Sequence, residues 1–85
     1  MHFDVPGWLA SVVGCAREEL VFDSESEIEG QLTVAYLRGG RPLATVNVIA
    51  LPLSDPRRAS WRLAARIGDR TEQVQVPSNT RFAWR

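Results

Sequence analysis

Apolar and polar positions along the chain change period twice, and each change marks an element. Over residues 5–21 the apolar side chains Trp8, Leu9, Val12, Val13, Ala16 and Leu20 recur at spacings of one, three and four. That spacing draws a single stripe on a helix. Asp4 stands where an N-cap belongs, and Pro6 is tolerated in a first turn. Gly14 falls inside this span, where an interior glycine costs about 1 kcal/mol against alanine. Glu18 and Glu19 fall near its C-terminus, the unfavourable end of the helix dipole for a carboxylate.

Residues 23–27, Asp-Ser-Glu-Ser-Glu, read as a polar acidic connector. The period then drops to two. Ile28, Leu32, Val34 and Tyr36 predict a strand over about 28–37, and Gly39-Gly40 predicts a hairpin turn into a return strand, Leu43–Leu51. Two registers compete. A two-residue loop sets Leu32 opposite Asn47, with a polar residue in the apolar face. A three-residue loop with a glycine bulge sets Tyr36 opposite Ala44, Val34 opposite Val46 and Leu32 opposite Val48. A slip of one residue reverses every side chain, so the cleaner core favours the bulged register.

Pro52 to Ser60 reads as a loop. Gly68-Asp69 then predicts a second hairpin, with Trp61 opposite Val76 and Leu63 opposite Val74 on a core face. Arg62, Ala64 and Arg66 lie on its wet face, opposite Gln75, Gln73 and Thr71. Pro77-Ser78-Asn79 ends the sheet, and the tail Thr80–Arg85 either adds a short fifth strand or docks Phe82 and Trp84 on the core. The expected fold is α+β, one N-terminal helix on a four-stranded antiparallel meander in a single domain. This order of elements resembles that of cystatin-like domains, which also wrap a meander sheet around an N-terminal helix. The glycine-bearing inhibitory loop of cystatins has no counterpart here, so the likeness is one of layout.

Composition changes this picture little; charge changes it more. Residues 1–31 hold seven acids and one base, while residues 32–85 hold nine arginines and three acids, so a net charge of zero conceals a dipolar chain. Separated charge speaks to association rather than fold. All ten basic residues are arginine. That fits bidentate and stacking contacts, and equally a GC-rich genome that disfavours lysine codons. A single cysteine rules out an intramolecular disulfide, no apolar run reaches the length of a membrane span, and no secretory signal is visible, so cytoplasm is the expectation.

Candidate chemistry is sparse. His2 and Cys15 are the only imidazole and the only thiol, and a nucleophilic pair needs them in hydrogen-bond reach. Cys15 reads better as a small apolar residue beside the helix stripe. One His and one Cys cannot supply a zinc site. The acids at 23, 25, 27 and 29 alternate as in a calcium loop, without its internal glycine or terminal bidentate Glu. No phosphate-binding loop is present. No cofactor, no metal and no catalysis are therefore expected.

The leading expectation is a non-enzymatic protein-binding domain. Its candidate partner-binding residues are Glu18, Glu19, Asp23, Glu25, Glu27 and Glu29 in the acidic stretch. Leu43, Ile49 and Leu51, with Leu37, add an apolar patch on the sheet face away from the helix. Size and simplicity fit an inhibitor or accessory factor of the phage or mobile-element type, and the charge division also permits a homo-oligomer. The alternative is a nucleic-acid-binding module using Arg57, Arg58, Arg62, Arg66 and Arg70.

Overall fold

A computed structural model describes residues 1–51 and 60–85. One helix, α1 (Val5–Val13), lies on one face of a five-stranded antiparallel sheet. The strands are β2 (Leu20–Ile28), β3 (Gln31–Arg38), β4 (Arg41–Leu51), β5 (Ser60–Ile67) and β6 (Arg70–Pro77), ordered β2-β3-β4-β5-β6. Two short strands, β1 (His2–Asp4) and β7 (Arg81–Ala83), pair in parallel as a separate ribbon. The class is the α+β one expected, with one strand more in the sheet.

The extra strand comes from the helix that the spacing overextends. The helix stops at Gly14, whose φ of 87° is left-handed and whose N–H donates to the Ala10 carbonyl at 2.8 Å. Gly14 is thus a C-terminal cap and not an interior residue. A short 3-10 turn, Arg17–Glu19, follows, and Leu20 begins β2. The segment 23–27 is therefore no connector but the middle of a strand. Glu18 and Glu19 sit in the first turn of the 3-10 segment, and the Ala16 N–H donates to the Glu19 carboxylate at 2.8 Å. Arg70 meets the freed end of α1, its Nη2 donating to the Val12 carbonyl at 3.0 Å.

The register of β3 on β4 is the one the clean core demands, reached by a different device. Gly39 and Gly40, with φ of 60° and 74°, make a two-residue turn that sets Arg38 opposite Arg41 and Leu37 opposite Pro42. Leu43 is then the additional residue of a bulge, and Tyr36 meets Ala44, Val34 meets Val46 and Leu32 meets Val48. The bulge is in the strand and not in a glycine loop. Pro42, which has no N–H to give a ladder, is a natural neighbour for it. Asn47 consequently turns away from the core and donates to the Thr33 hydroxyl at 3.0 Å. The pairing of β5 with β6 is as expected throughout, Trp61 with Val76 and Leu63 with Val74.

The core lies between α1 and the sheet. Val5 and Leu9 from the helix meet Val34, Tyr36, Val46, Val48, Leu63, Ala65 and Val76 from four strands. Complete burial of side chains such as Leu9 and Leu63 stabilises the fold by about 1.5–3 kcal/mol each. The tail docks on the core and adds no strand to the main sheet; its short strand pairs with β1 instead. Residues 81–83 form β7, and Phe82 and Trp84 pack half-buried against the core. The N-terminus is tied down as well, with the Arg81 N–H donating to the Met1 carbonyl at 2.8 Å. Among the described residues, no helix is long and apolar enough to cross a membrane.

Gly14→Ala tests where the helix ends. A left-handed alanine costs about 1–2 kcal/mol, so the urea midpoint should fall with the slope unchanged. A glycine inside a helix would give the opposite sign, a gain of about 1 kcal/mol.

Candidate functional site

The acidic segment is exposed along the edge of the sheet. β2 pairs with β3 on one side only, and its other side faces no described strand. Leu20 and Phe22 anchor its first half on the core, with the Phe22 ring set edge-on to Tyr36 at 6.3 Å. Asp23 sits at a bulge, since Phe22 meets Tyr36 while Ser24 meets Ala35. Past the bulge, alternation sends Glu25 and Glu27 to the helix-side face, opposite Val34 and Leu32. α1 is only nine residues long and the acids project beyond it. Ser24, Ser26 and Ile28 take the other face. Glu29, at φ 54°, opens the turn into Gly30. From Asp23 to Gly30 every residue is exposed.

The large apolar side chains that stay exposed are Met1, Val21 at 55% and Ile28 at 69%, so β2 carries two of the three found among the described residues. Both lie on the face of β2 turned away from the helix. Acid on one face and uncovered aliphatic surface on the other thus share a single edge strand.

The remaining expected residues divide. Glu18 is exposed in the 3-10 turn, but Glu19 already serves the fold. Its carboxylate accepts from the Ala16 N–H and from Arg38 Nη2 at 3.2 Å. Those contacts, the backbone one first, hold its carboxyl below the usual range. Leu43, Ile49 and Leu51 do not form one patch. Leu43 is the bulge residue and packs half-buried against the core, near Leu37. Ile49 and Leu51 lie about 20 Å or more further along the strand. Thr45 and Asn47 separate them from Leu43. The open face is instead one of small polar residues, with rows such as Ser26, Thr33, Asn47, Ala64 and Gln73 running across the strands.

Among the arginines, Arg62 and Arg66 share that open face two pleats apart. Arg70 is spent elsewhere, on the Val12 carbonyl and on Glu72 at 3.7 Å. Arg57 and Arg58 lie outside the described residues. His2 pairs with Arg81 in the β1–β7 ribbon, Cys15 follows the helix cap, and no hydrogen bond joins the two. No group of His, Cys, Asp or Glu among the described residues could hold a metal ion.

Because α1 is short, the helix-side face is uncovered at its far end, and the tail walls it in. Leu32, Val48 and Trp61 from three strands, Ser78 and Thr80 from the turn, and Phe82 and Trp84 from the tail enclose a cleft of about 360 Å³, with Glu27 and Gly30 at the β2–β3 end. The aromatic rings are fixed. Trp61 Nε1 donates to the Ser78 carbonyl at 3.0 Å, and Phe82 lies 6.5 Å from Trp61 and 5.7 Å from Trp84. In the sequence Trp61 reads as core and Phe82 and Trp84 as either core or exposed, and nothing there sets Glu27 beside them.

Behind the cleft, the chain ends are clamped by one guanidinium. Arg17 makes a two-pronged contact with Asp4, Nε to Oδ2 at 2.7 Å and Nη2 to Oδ1 at 2.9 Å, and Nη2 also reaches the Arg85 carbonyl at 3.1 Å. Asp4 occupies the N-cap position, but its side chain makes no capping hydrogen bond and is given to Arg17 instead. The Arg17 contact holds the Asp4 carboxyl below the usual range, against a smaller opposing effect of burial.

Compared with protein-family models, curated proteins and solved structures, the chain finds no match.

The two clamped carboxylates set an acid limit. Asp4 and Glu19 both have folded values below their ordinary 3.8 and 4.5. Their contribution is therefore complete above those values and is lost as pH falls through the lower, folded ones. Denaturant melts of wild type and Asp4→Asn should differ most near neutral pH and converge progressively as pH falls below 3.8. A gap that stays constant into acid would contradict the clamp.

Proposed function

We propose that this chain is a non-enzymatic protein-binding domain that uses β2 to capture a basic, extended segment of another protein. The observation that carries the reading is the position of the acids. Asp23, Glu25 and Glu27 lie on an unpaired edge strand, flanked by the exposed Val21 and Ile28.

An edge strand offers a row of unpaired backbone N–H and C=O groups, a ready template for one more strand. Charged side chains and a bulge are also how sheets protect such edges from one another. The sign of the charge reconciles the two statements. A second β2 laid on this one would bring carboxylates alongside carboxylates, and like charges directly opposite are destabilising. A basic strand turns the same repulsion into attraction and steers the encounter. A second copy of this chain offers arginines on its open sheet face, at Arg62 and Arg66, rather than on a strand edge, which makes it the weaker occupant.

Val21 and Ile28 take over the apolar role that Leu43, Ile49 and Leu51 cannot fill together. An inhibitor or accessory factor, of the kind phages and mobile elements carry, is the biological form that best suits so small a domain. The nucleic-acid alternative has less support. It keeps Arg62 and Arg66 on one face, while Arg70 is tied to the helix end.

The test reverses the strand's charge with Glu25→Arg, Glu27→Arg and Glu29→Arg together. These positions are exposed, so the fold should persist, as circular dichroism would check. Wild-type protein on beads should retain a basic protein from host lysate after nuclease treatment, and the triple variant should lose it. Retention unaffected by the reversal, or abolished by nuclease in the wild type, contradicts the proposal.

A further inference from the structure

We propose that the aromatic cleft receives a basic side chain, arginine or lysine, from the segment that docks on β2. This inference rests on the reading of β2 as the docking strand, and it assigns a separate site with its own chemistry.

Three observations point to a cation. First, Trp61, Phe82 and Trp84 line the cleft together. Aromatic faces carry the negative part of a quadrupole and attract ammonium and guanidinium groups, most strongly where water is excluded. The molecule already makes one such contact next door, where the Arg85 guanidinium lies 4.2 Å from the centre of the Phe22 ring. Second, the charge of the lining is one-sided. Among the described residues Glu27 is its only ionisable residue and no base accompanies it, so an anion would meet a carboxylate and no described counter-charge. Third, Thr80 lines the cleft at 8% exposure, and among the described residues its hydroxyl has no hydrogen-bond partner. An unpaired buried hydroxyl is costly, and a turn of the Thr80 side chain toward the cleft would let it accept an N–H from a ligand.

Geometry connects the cleft to the docking strand. Glu27 is at once a β2 residue and the rim of the cleft, and it shares a face with Leu32. A strand added to β2 presents alternate side chains to that same face. The side chain opposite Glu27 therefore faces the cleft mouth, and a long basic side chain can lay its aliphatic stem on Leu32 while its head meets the aromatic wall. The volume of about 360 Å³ falls at the small end of ligand pockets.

The test needs no knowledge of the partner. The isotope-labelled full chain is titrated with N-acetyl-arginine amide and, separately, with its neutral isostere N-acetyl-citrulline amide, followed by NMR. Arginine should give saturable shifts at the Trp61 indole N–H and at the amides of Thr80, Phe82 and Trp84, with citrulline about tenfold weaker or worse. Glu27→Gln should weaken arginine by a similar factor. Thr80→Val should weaken arginine while leaving thermal stability unchanged or raised. Equal binding of arginine and citrulline, shifts elsewhere on the surface, or no saturable shift for arginine would each overturn the proposal. The two readings fail separately. If the charge-reversed strand loses its protein partner but arginine does not bind wild type, the docking strand stands and the cleft does not. If arginine binds but the partner ignores the reversal, the cleft stands as a cation site without the docking strand.

Discussion

The hydroxyl of Tyr36 must be satisfied inside the protein, and the Trp84 carbonyl satisfies it at 2.6 Å. Tyr36 is the largest fully buried side chain, 1% exposed, and burial pushes its ionisation well above the ordinary value. A buried phenol without a partner would cost more than most single contacts contribute. The partner chosen is forty-eight residues away in sequence, in the C-terminal tail just after β7. Fixing Trp84 brings Phe82 into the aromatic row that runs from Trp8 through Phe3, and this seats β7 against β1. Arg17 then holds Asp4 and the Arg85 carbonyl in the same grip.

The rest of the surface follows from that closure and from the shortness of α1. The helix covers the middle of one sheet face, the tail walls off one end, and the space left between them is the cleft. The sheet curls no further, so β2 and β6 remain its edges. The charge division of the sequence acquires a place. Its acid is concentrated on the β2 edge, and part of its base is on the open face at Arg62 and Arg66, with Arg17, Arg38 and Arg70 engaged within the fold. Edge, cleft and charge meet at Glu27.

The two central hairpins were legible because their strands obey both constraints that sequence displays, alternation toward a buried face and glycine at the turns. Even the disputed register could be argued, since only one choice keeps Asn47 out of the core; Pro42 explains why the bulge falls in the strand. β2 was not legible. Past Phe22 neither of its faces is buried, so burial imposes no alternation there, and the bulge at Asp23 shifts the period where the acids begin. Gly14 reads as interior because an interior glycine and a capping glycine look alike in sequence, and only the left-handed φ separates them. The β1–β7 ribbon joins residues seventy-nine positions apart and the cleft residues up to fifty-seven apart, which no local pattern reports.

Amide hydrogen exchange, followed residue by residue in the free protein, can show whether the tail is a built wall of the fold and β2 an open edge. The ladder amides of β3, β4 and β5 supply the reference for global opening. The Arg81 amide, bonded to Met1, should exchange nearly as slowly as those, while the outward amides between Asp23 and Glu27 should exchange orders of magnitude faster. A tail that exchanges like a free chain end, or a β2 edge as protected as the central strands, would contradict that arrangement.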